Sequence, residues 1–317
     1  MRDRSLRIGV SSCLLGAEVR YDGGHKRDAF VADTLAEHAE LVSVCPEVEI
    51  GLGVPRETLR LEQQGDHTRL VAPRSKRDWS ERMRAWSRTR LVELAALDLD
   101  GYVLKKNSPS CGLERVRLHH GSRPPKRDGR GLFAAALVEA FPDLPVEEEG
   151  RLRDARLREN FVERLFAFRR VKELFVAGWS IGDLVAFHSR EKLLLMAHEP
   201  KSYGALGRLV ATAKGRDRRA LAAEYRATFM SALARIATPS RNANVLLHML
   251  GYFRKRLGRE ERAELGELIE DYRRELLPLI VPITLVRHHV RRLGVDYLAG
   301  QSYLEPHPKE LALRNRV

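Results

Sequence analysis

The chain has 317 residues, 44% of them hydrophobic, with 3 cysteines and a formal net charge of +13. That length points to two domains, the apolar content supports real cores, and no apolar run is long enough to cross a membrane. The charge divides unevenly: residues 1–150 hold 24 Lys+Arg and 24 Asp+Glu, residues 151–317 hold 32 and 19, and the whole excess falls in the second half.

In chain order, residues 6–10 read as a buried strand that ends in Ser11-Ser12-Cys13. The loop Val19-Arg20-Tyr21-Asp22-Gly23-Gly24-His25-Lys26-Arg27 is dense in groups that could hold a base or a phosphate, although a plain Asp-Gly turn explains its centre as well. Residues 30–38 read as a helix, and 41–44 as a second strand followed by Cys45-Pro46-Glu47. Glu47 stands two residues from a thiol, where a dry or anionic pocket would raise its pKa and suit acid/base work; Glu49 is the competing carboxylate. A hairpin is expected about Gly65-Asp66, and Asp78 and Glu81 have capping-box spacing for a helix over 79–97.

Gly101-Tyr102-Val103-Leu104 reads as a third strand, and Lys105-Lys106-Asn107-Ser108-Pro109-Ser110-Cys111-Gly112 follows it. Proline ends the ladder, Gly112 permits a tight backbone path, and the lysines favour a thiolate. Residues 116–119 read as a further strand, 121–130 as a polar loop, and 132–140 as an apolar helix. Gly129 and Gly131 precede that helix, and a glycine-rich loop at a helix start is an anion site. Phe141 to Gly150, with three glutamates, reads as the exit of the domain.

Each cysteine therefore lies beyond the carboxyl end of a predicted strand, the edge where open α/β sheets bind ligands. A polar start without an apolar h-region predicts a cytoplasmic chain, in which such cysteines bind metal or react rather than form disulfides. Structural zinc favours four ligands with Cys-x-x-Cys pairs, which are absent. A cluster on three thiolates would leave one iron open to substrate. Spacing favours the cluster, with both left open.

The second half reads as all-α, with helices over 160–175, 181–198, 217–236, 242–257, 259–277 and 284–293. Ser180 is a candidate cap, and Pro278 and Pro282 bracket a short apolar run. Two basic clusters, Lys214, Arg216, Arg218 and Arg219, then Arg254, Lys255 and Arg256, are candidate phosphate contacts, with Arg287, Arg291 and Arg292 a third. Tyr203, Tyr252 and Phe253 could stack on bases or pack in the core. His188, His198 and His248 lack an Asp or Cys partner at ligand spacing and read as packed or hydrogen-bonded.

Over residues 5–145, Ser-Ser-Cys-Leu-Leu-Gly, Val-Arg-Tyr-Asp-Gly-Gly, Cys-Pro-Glu and Lys-Asn-Ser-Pro-Ser-Cys-Gly resemble the motifs of the thiouracil desulfidases. Over 185–315, Lys192-Leu193-Leu194-Leu195-Met196-Ala197-His198, Asn244-Val245-Leu246, Pro278-Leu279-Ile280-Val281-Pro282 and the tail Tyr303 to Pro308 resemble YbgA-like proteins. The combination resembles the two-domain tRNA 4-thiouridine desulfidases. The resemblance implies an α/β Rossmann-like domain, 1–149, and a basic all-α, RNA-binding domain, 150–317. It implies a 4Fe–4S cluster on Cys13, Cys45 and Cys111 with one open iron, and a part in the chemistry for Glu47 and for Ser108 or Ser110. Ser12, Tyr21, Asp22, Lys106, Gly129 and Gly131 are the candidate substrate contacts. The expected reaction is hydrolytic loss of sulfur from 4-thiouridine in tRNA. Beside it stand free thiouracil or thiouridine monophosphate as substrate, a non-enzymatic iron–sulfur sensor of nucleic acid, and a zinc protein.

Overall fold

The computed structural model describes residues 5–121 and 123–315; the first four residues of the polar start and Ser122 of the expected polar loop lie outside them. The chain divides into two compact units, 1–153 and 154–317, so the boundary falls a few residues later than the composition change. In chain order the first unit runs β1 (Leu6–Ser11), a helical turn (Ser12–Leu15), a short wide helical segment (Phe30–Leu35), β2 (Ala39–Val44), α1 (Pro46–Glu49), β3 (Arg60–Gln64), β4 (His67–Val71), α2 (Ser80–Ala96), β5 (Gly101–Leu104), β6 (Val116–His119), β7 (Lys126–Gly129), α3 (Leu132–Ala140) and β8 (Val146–Glu148).

Two sheets form. The first has the order β2–β1–β5–β8 and is wholly parallel. Its inner strands read as apolar runs because helices cover a parallel sheet on both faces. Leu6, Ile8, Val10, Val103 and Leu104 are buried, and α2 and α3 meet through Trp86 and Phe133, whose rings lie 5.3 Å apart. The chain passes from β1 outward to β2 and then back across β1 to β5. That reversal makes the carboxyl edge of β1 the switch point at which such sheets open a crevice. The second sheet has the order β4–β3–β6–β7, with the expected hairpin as β3–β4.

Three expectations need correction in this unit. The polar loop contains a strand, β7, which pairs antiparallel with β6 despite its Lys-Arg-Asp composition. The expected exit contains β8, and its three glutamates are buried because each carboxylate has donors: Glu147 from Arg151 at 2.7 Å, Glu148 from the Leu113 N–H at 2.8 Å, and Glu149, just past the strand, from the Lys106 N–H at 2.7 Å. Helix α2 has no Asp78–Glu81 capping box. Asp78 is committed to the Ser80 N–H at 2.8 Å and to Arg69 at 2.7 Å, and Glu81 pairs with Arg84.

The second unit is all helix: α4 (Ala155–Leu174), α5 (Ile181–His198), α6 (Pro200–Ala211), α7 (Arg218–Leu233), α8 (Pro239–Tyr252), α9 (Arg259–Arg273), α10 (Ile280–Leu293) and α11 (Asp296–Ala299). The stripe Phe161, Leu165, Phe168 and Val171 of α4 is buried, and Ser180 caps α5 in a capping box with Asp183. Helix α6 was not expected, since Pro200 reads as a stop. It sits instead in the first turn, where a missing N–H costs nothing. Pro282 likewise lies inside the first turn of α10 rather than bracketing a loop.

Candidate active site

The three cysteines meet on one cavity of about 390 Å³ at the carboxyl edge of the parallel sheet. Cys13 lies in the turn after β1, Cys45 precedes α1, and Cys111 ends the loop that follows β5. All three are free thiols, Cys13 and Cys111 buried and Cys45 half-buried. Among the described residues no three His, Cys, Asp or Glu side chains are grouped as a single ion would need.

The lysines do not make these thiols into thiolates by themselves. Burial pushes Cys13 up to about 11 against the pull of Lys105. Burial raises Cys45 too, and burial with the charge of Glu47 holds Cys111 well above its ordinary value. Thiols so placed become ligands only against a strongly positive centre, which metal binding supplies as it displaces their protons. Three sulfur donors free of disulfides, two buried and one half-buried, around a shared cavity fit a polynuclear iron–sulfur group.

Glu47 faces the same cavity, and both its oxygens are held. The Ser110 hydroxyl donates to Oε1 at 2.9 Å, and Arg56 donates to Oε2 through Nη2 at 2.6 Å and Nε at 3.0 Å. The Arg56 side chain is 5% exposed and that of Glu47 is 16% exposed, so the pair is shielded but open to the cavity. Glu49 turns away, accepting from the Cys45 N–H at 3.0 Å and pairing with Arg90. The two serines differ. Ser110 touches Glu47, whereas the Ser108 hydroxyl accepts from the N–H groups of Ser110 at 3.2 Å and Cys111 at 3.0 Å and ties the loop to itself.

Of the other candidate contacts, Ser12, Tyr21 and Lys106 line the cavity. Ser12 accepts from the Ser43 hydroxyl at 2.7 Å. Asp22 lies outside the lining, exposed, and pairs with Arg20. Gly129 and Gly131 also lie outside it. Gly129 is paired with Val116 in the second sheet. Gly131 is pressed on the cysteine loop: a Cβ there would stand 2.5 Å from the Ser110 carbonyl and 2.9 Å from the Cys111 nitrogen. The first N–H groups of α3 are spent on that loop, Gly131 donating to Gly112 at 2.8 Å, Leu132 to Pro109 at 3.1 Å and Phe133 to Ser110 at 3.1 Å. The helix start thus builds the Cys111 loop rather than an open anion site. Gly112 is tight for an internal reason as well, since a Cβ would meet the Ser108 carbonyl at 2.7 Å.

Three supporting residues escaped the sequence reading. Arg56 ends a glycine-rich loop and carries no motif. Ser11 accepts from the Lys105 N–H at 3.0 Å. Glu149 pairs with the Lys105 ammonium and accepts from the Lys106 N–H, so that the turn just past the edge strand fixes both lysines. The run of glutamates was the visible signal, but it reads as the exit of the domain.

In the second unit Lys214, Arg216, Arg218 and Arg219 are exposed at the turn before α7 and in its first residues, and Arg254, Lys255 and Arg256 are exposed after α8. Arg216 pairs with Glu224, Arg218 lies over the Trp179 ring at 4.8 Å, and Arg256 donates to the Leu293 carbonyl at 2.7 Å. Phe253 is core, Tyr203 stacks on His188, and Tyr252, 39% exposed, stacks on Tyr297. His198 is buried between Glu163 and the Arg235 carbonyl.

Residues 8–149 match the 2-thiouracil desulfurase family, and residues 192–308 match DUF1722, a family of unknown function. The chain is similar to the uncharacterized protein YbgA of Escherichia coli (strain K12), with 33% identity over 161 residues, 50% of this chain and 95% of that protein. It is also similar to the uncharacterized protein YbbK of Bacillus subtilis (strain 168), with 31% identity over 139 residues, 42% of this chain and 90% of that protein. A solved structure of the 4Fe–4S-dependent thiouracil desulfidase TudS shares 30% identity, covering 47% of this chain and 93% of that one, with a TM-score of 0.37.

Proposed function

The chain belongs to the 2-thiouracil desulfurase family through its first unit and to the DUF1722, YbgA-like family through its second, and on that premise we propose that it removes sulfur from thiolated uracil, with 4-thiouridine in tRNA as the substrate and uridine and sulfide as the products. The observation that carries this reading is the meeting of three thiols from three strand ends with Glu47 on one cavity, the carboxylate held from behind the lining by the buried Ser110 hydroxyl.

Cys13, Cys45 and Cys111 would hold a 4Fe–4S cluster by three thiolates, and when bound it would supply an open iron as a soft Lewis acid for the thiocarbonyl sulfur. The chain's own residues then handle the proton and the base. Glu47 takes a proton from water as the oxygen adds to the ring carbon, and returns it to the departing sulfur. The thiocarbonyl and water thereby become a carbonyl and hydrogen sulfide, without net electron transfer. Arg56 holds Oε2 of Glu47 and the buried Ser110 hydroxyl holds Oε1, which fixes the carboxylate with its open side toward the cavity and the reacting water. Ser108 holds the Cys111 loop closed. Tyr21, at the rim and 42% exposed, offers a ring face for the uracil. Arg20, Lys26 and Lys106 line the same cavity and suit the phosphate that accompanies the base. A base held in a stacked strand must first leave the stack to enter.

The basic second unit supports an RNA substrate, because its excess charge attracts a polyanion. The test is to load the full chain anaerobically with iron and sulfide and to measure sulfide released from thiolated tRNA and from 4-thiouridine monophosphate. Higher kcat/KM on tRNA is expected. Turnover of the monophosphate alone would reassign the substrate to a free nucleotide, and release from neither would overturn the enzyme reading. Loss of turnover in Glu47→Ala with the cluster intact separates an enzyme from a nucleic-acid sensor.

A further inference from the structure

The first unit is close to formal neutrality, with 26 Lys+Arg and 24 Asp+Glu over residues 1–153, and carries its own unpaired positive face. In the β6–β7 hairpin Arg117 stands directly opposite Arg127, both exposed. Like charges directly opposite in an antiparallel pair weaken it. Neither guanidinium has an ion-pair partner among the described residues, while other arginines of the same sheet do: Arg60 with Glu62 at 2.6 Å and Arg69 with Asp78 at 2.6 Å. Register puts His119 on the same face as Arg117, two residues along β6. Charges on β7 would serve to guard a free sheet edge. That need does not extend to Arg117 on the inner strand β6, where a carboxylate would pair with Arg127 instead of repelling it.

The hairpin is rooted in the candidate active site. It leaves from the Cys111–Gly112 loop and returns to it, the Gly131 N–H donating to the Gly112 carbonyl at 2.8 Å and Arg130 donating to the Leu113 carbonyl at 2.9 Å. A group held on this face is thus held by the element that sets Cys111. Guanidinium groups grip phosphate by paired N–H donors. A single nucleotide phosphate already has the cationic lining of the cavity, so two further free arginines suit a chain of phosphates. We propose that the Arg117–Arg127 face of the β6–β7 hairpin is a contact for the phosphate backbone of RNA, in addition to any contact made by the second unit. This rests on the reading of RNA as the substrate.

The experiment uses the full chain carrying Arg117→Gln and Arg127→Gln together. Binding to tRNA is followed across a salt series, with turnover of 4-thiouridine monophosphate as the second readout. The expected result is an affinity about tenfold lower, and a log–log salt slope smaller in magnitude by about 1 to 2, since each lost phosphate contact removes roughly 0.7–0.9. Monophosphate turnover stays unchanged, and the thermal midpoint stays or rises because the repulsion is gone. Unchanged affinity and slope would overturn the inference, as would variants that only aggregate at an unguarded edge. A wild-type chain that binds no tRNA would instead overturn the RNA reading on which the inference rests.

Discussion

The Ser110 hydroxyl donates to Glu47 at 2.9 Å across 63 residues of sequence, joining the Cys111 loop to the short helix that follows Cys45. A carboxylate set in this way keeps one direction toward the cavity and little freedom otherwise. Glu47→Ala is expected to lower kcat by about 10²–10⁴ with iron content unchanged. Ser110→Ala should cost less. Full activity in Glu47→Ala would remove it from the proton path.

Arg56 acts through Glu47. Arg56→Lys keeps the charge but loses the two-point grip, and kcat should fall while KM for a free thiolated nucleotide changes little. An effect on KM alone would make Arg56 a substrate contact rather than a positioning residue.

Gly131 is where α3 presses on the Cys111 loop. Gly131→Ala must displace backbone atoms, not a flexible side chain, and should cost about 1–3 kcal/mol of stability and reduce iron retention. The measurement is iron per chain after anaerobic loading, with a denaturation midpoint alongside. A variant with normal iron and stability would show that the loop yields easily.

In the second unit, burial opposes the charge on Glu163, yet His198 and Arg314 outweigh it and hold the carboxyl down at about 2. Burial opposes the charge on His198 as well, but Glu163 raises the ring above its ordinary value. Burial pushes Glu159 up to about 7 against Arg314. The signs follow by linkage. Glu163 stabilises above its ordinary range and loses that only as pH falls toward about 2. The His198 contribution is complete below about 6.5 and fades as pH rises through its raised folded value. The raised Glu159 costs stability as pH climbs from its ordinary range to about 7. His307, which burial and Arg314 hold down at about 4, adds stability as pH rises to about 6.5 and opposes Glu159 there; above that His198 and Glu159 act in the same direction, so amide exchange in α4 and α5 should show this unit weakening from about pH 6.5 to about pH 8. Glu159→Gln should flatten the profile, and a profile that rises with pH over that range would contradict this ordering.

The parallel sheet was legible because β1, β2 and β5 are buried runs with a turn at each end, and the cysteine motifs sit at those ends. Periodicity also found most of the helical unit. Two of the misses share a cause, a run of charge read as a loop or as the exit of a domain. The glutamates after Pro145 are buried because donors from the cysteine loop and from two lysines meet them, and that meeting is made in space. β7 hid behind Lys-Arg-Asp because an edge strand needs few apolar residues. Arg56 had no local mark, since its partner stands nine residues earlier around a glycine-rich turn. Pro200 and Pro282 read as stops because a proline at the first turn and one beyond a helix end look alike.

The most direct test of the central claim is a single-turnover reaction of the anaerobically loaded full chain with thiolated tRNA, following sulfide release against iron content in the native chain and in Cys13→Ser, Cys45→Ser and Cys111→Ser. The account predicts sulfide stoichiometric with lost thiouridine in the native chain, and loss of both iron and turnover in each cysteine variant. Normal turnover in a variant that has lost its iron would contradict it.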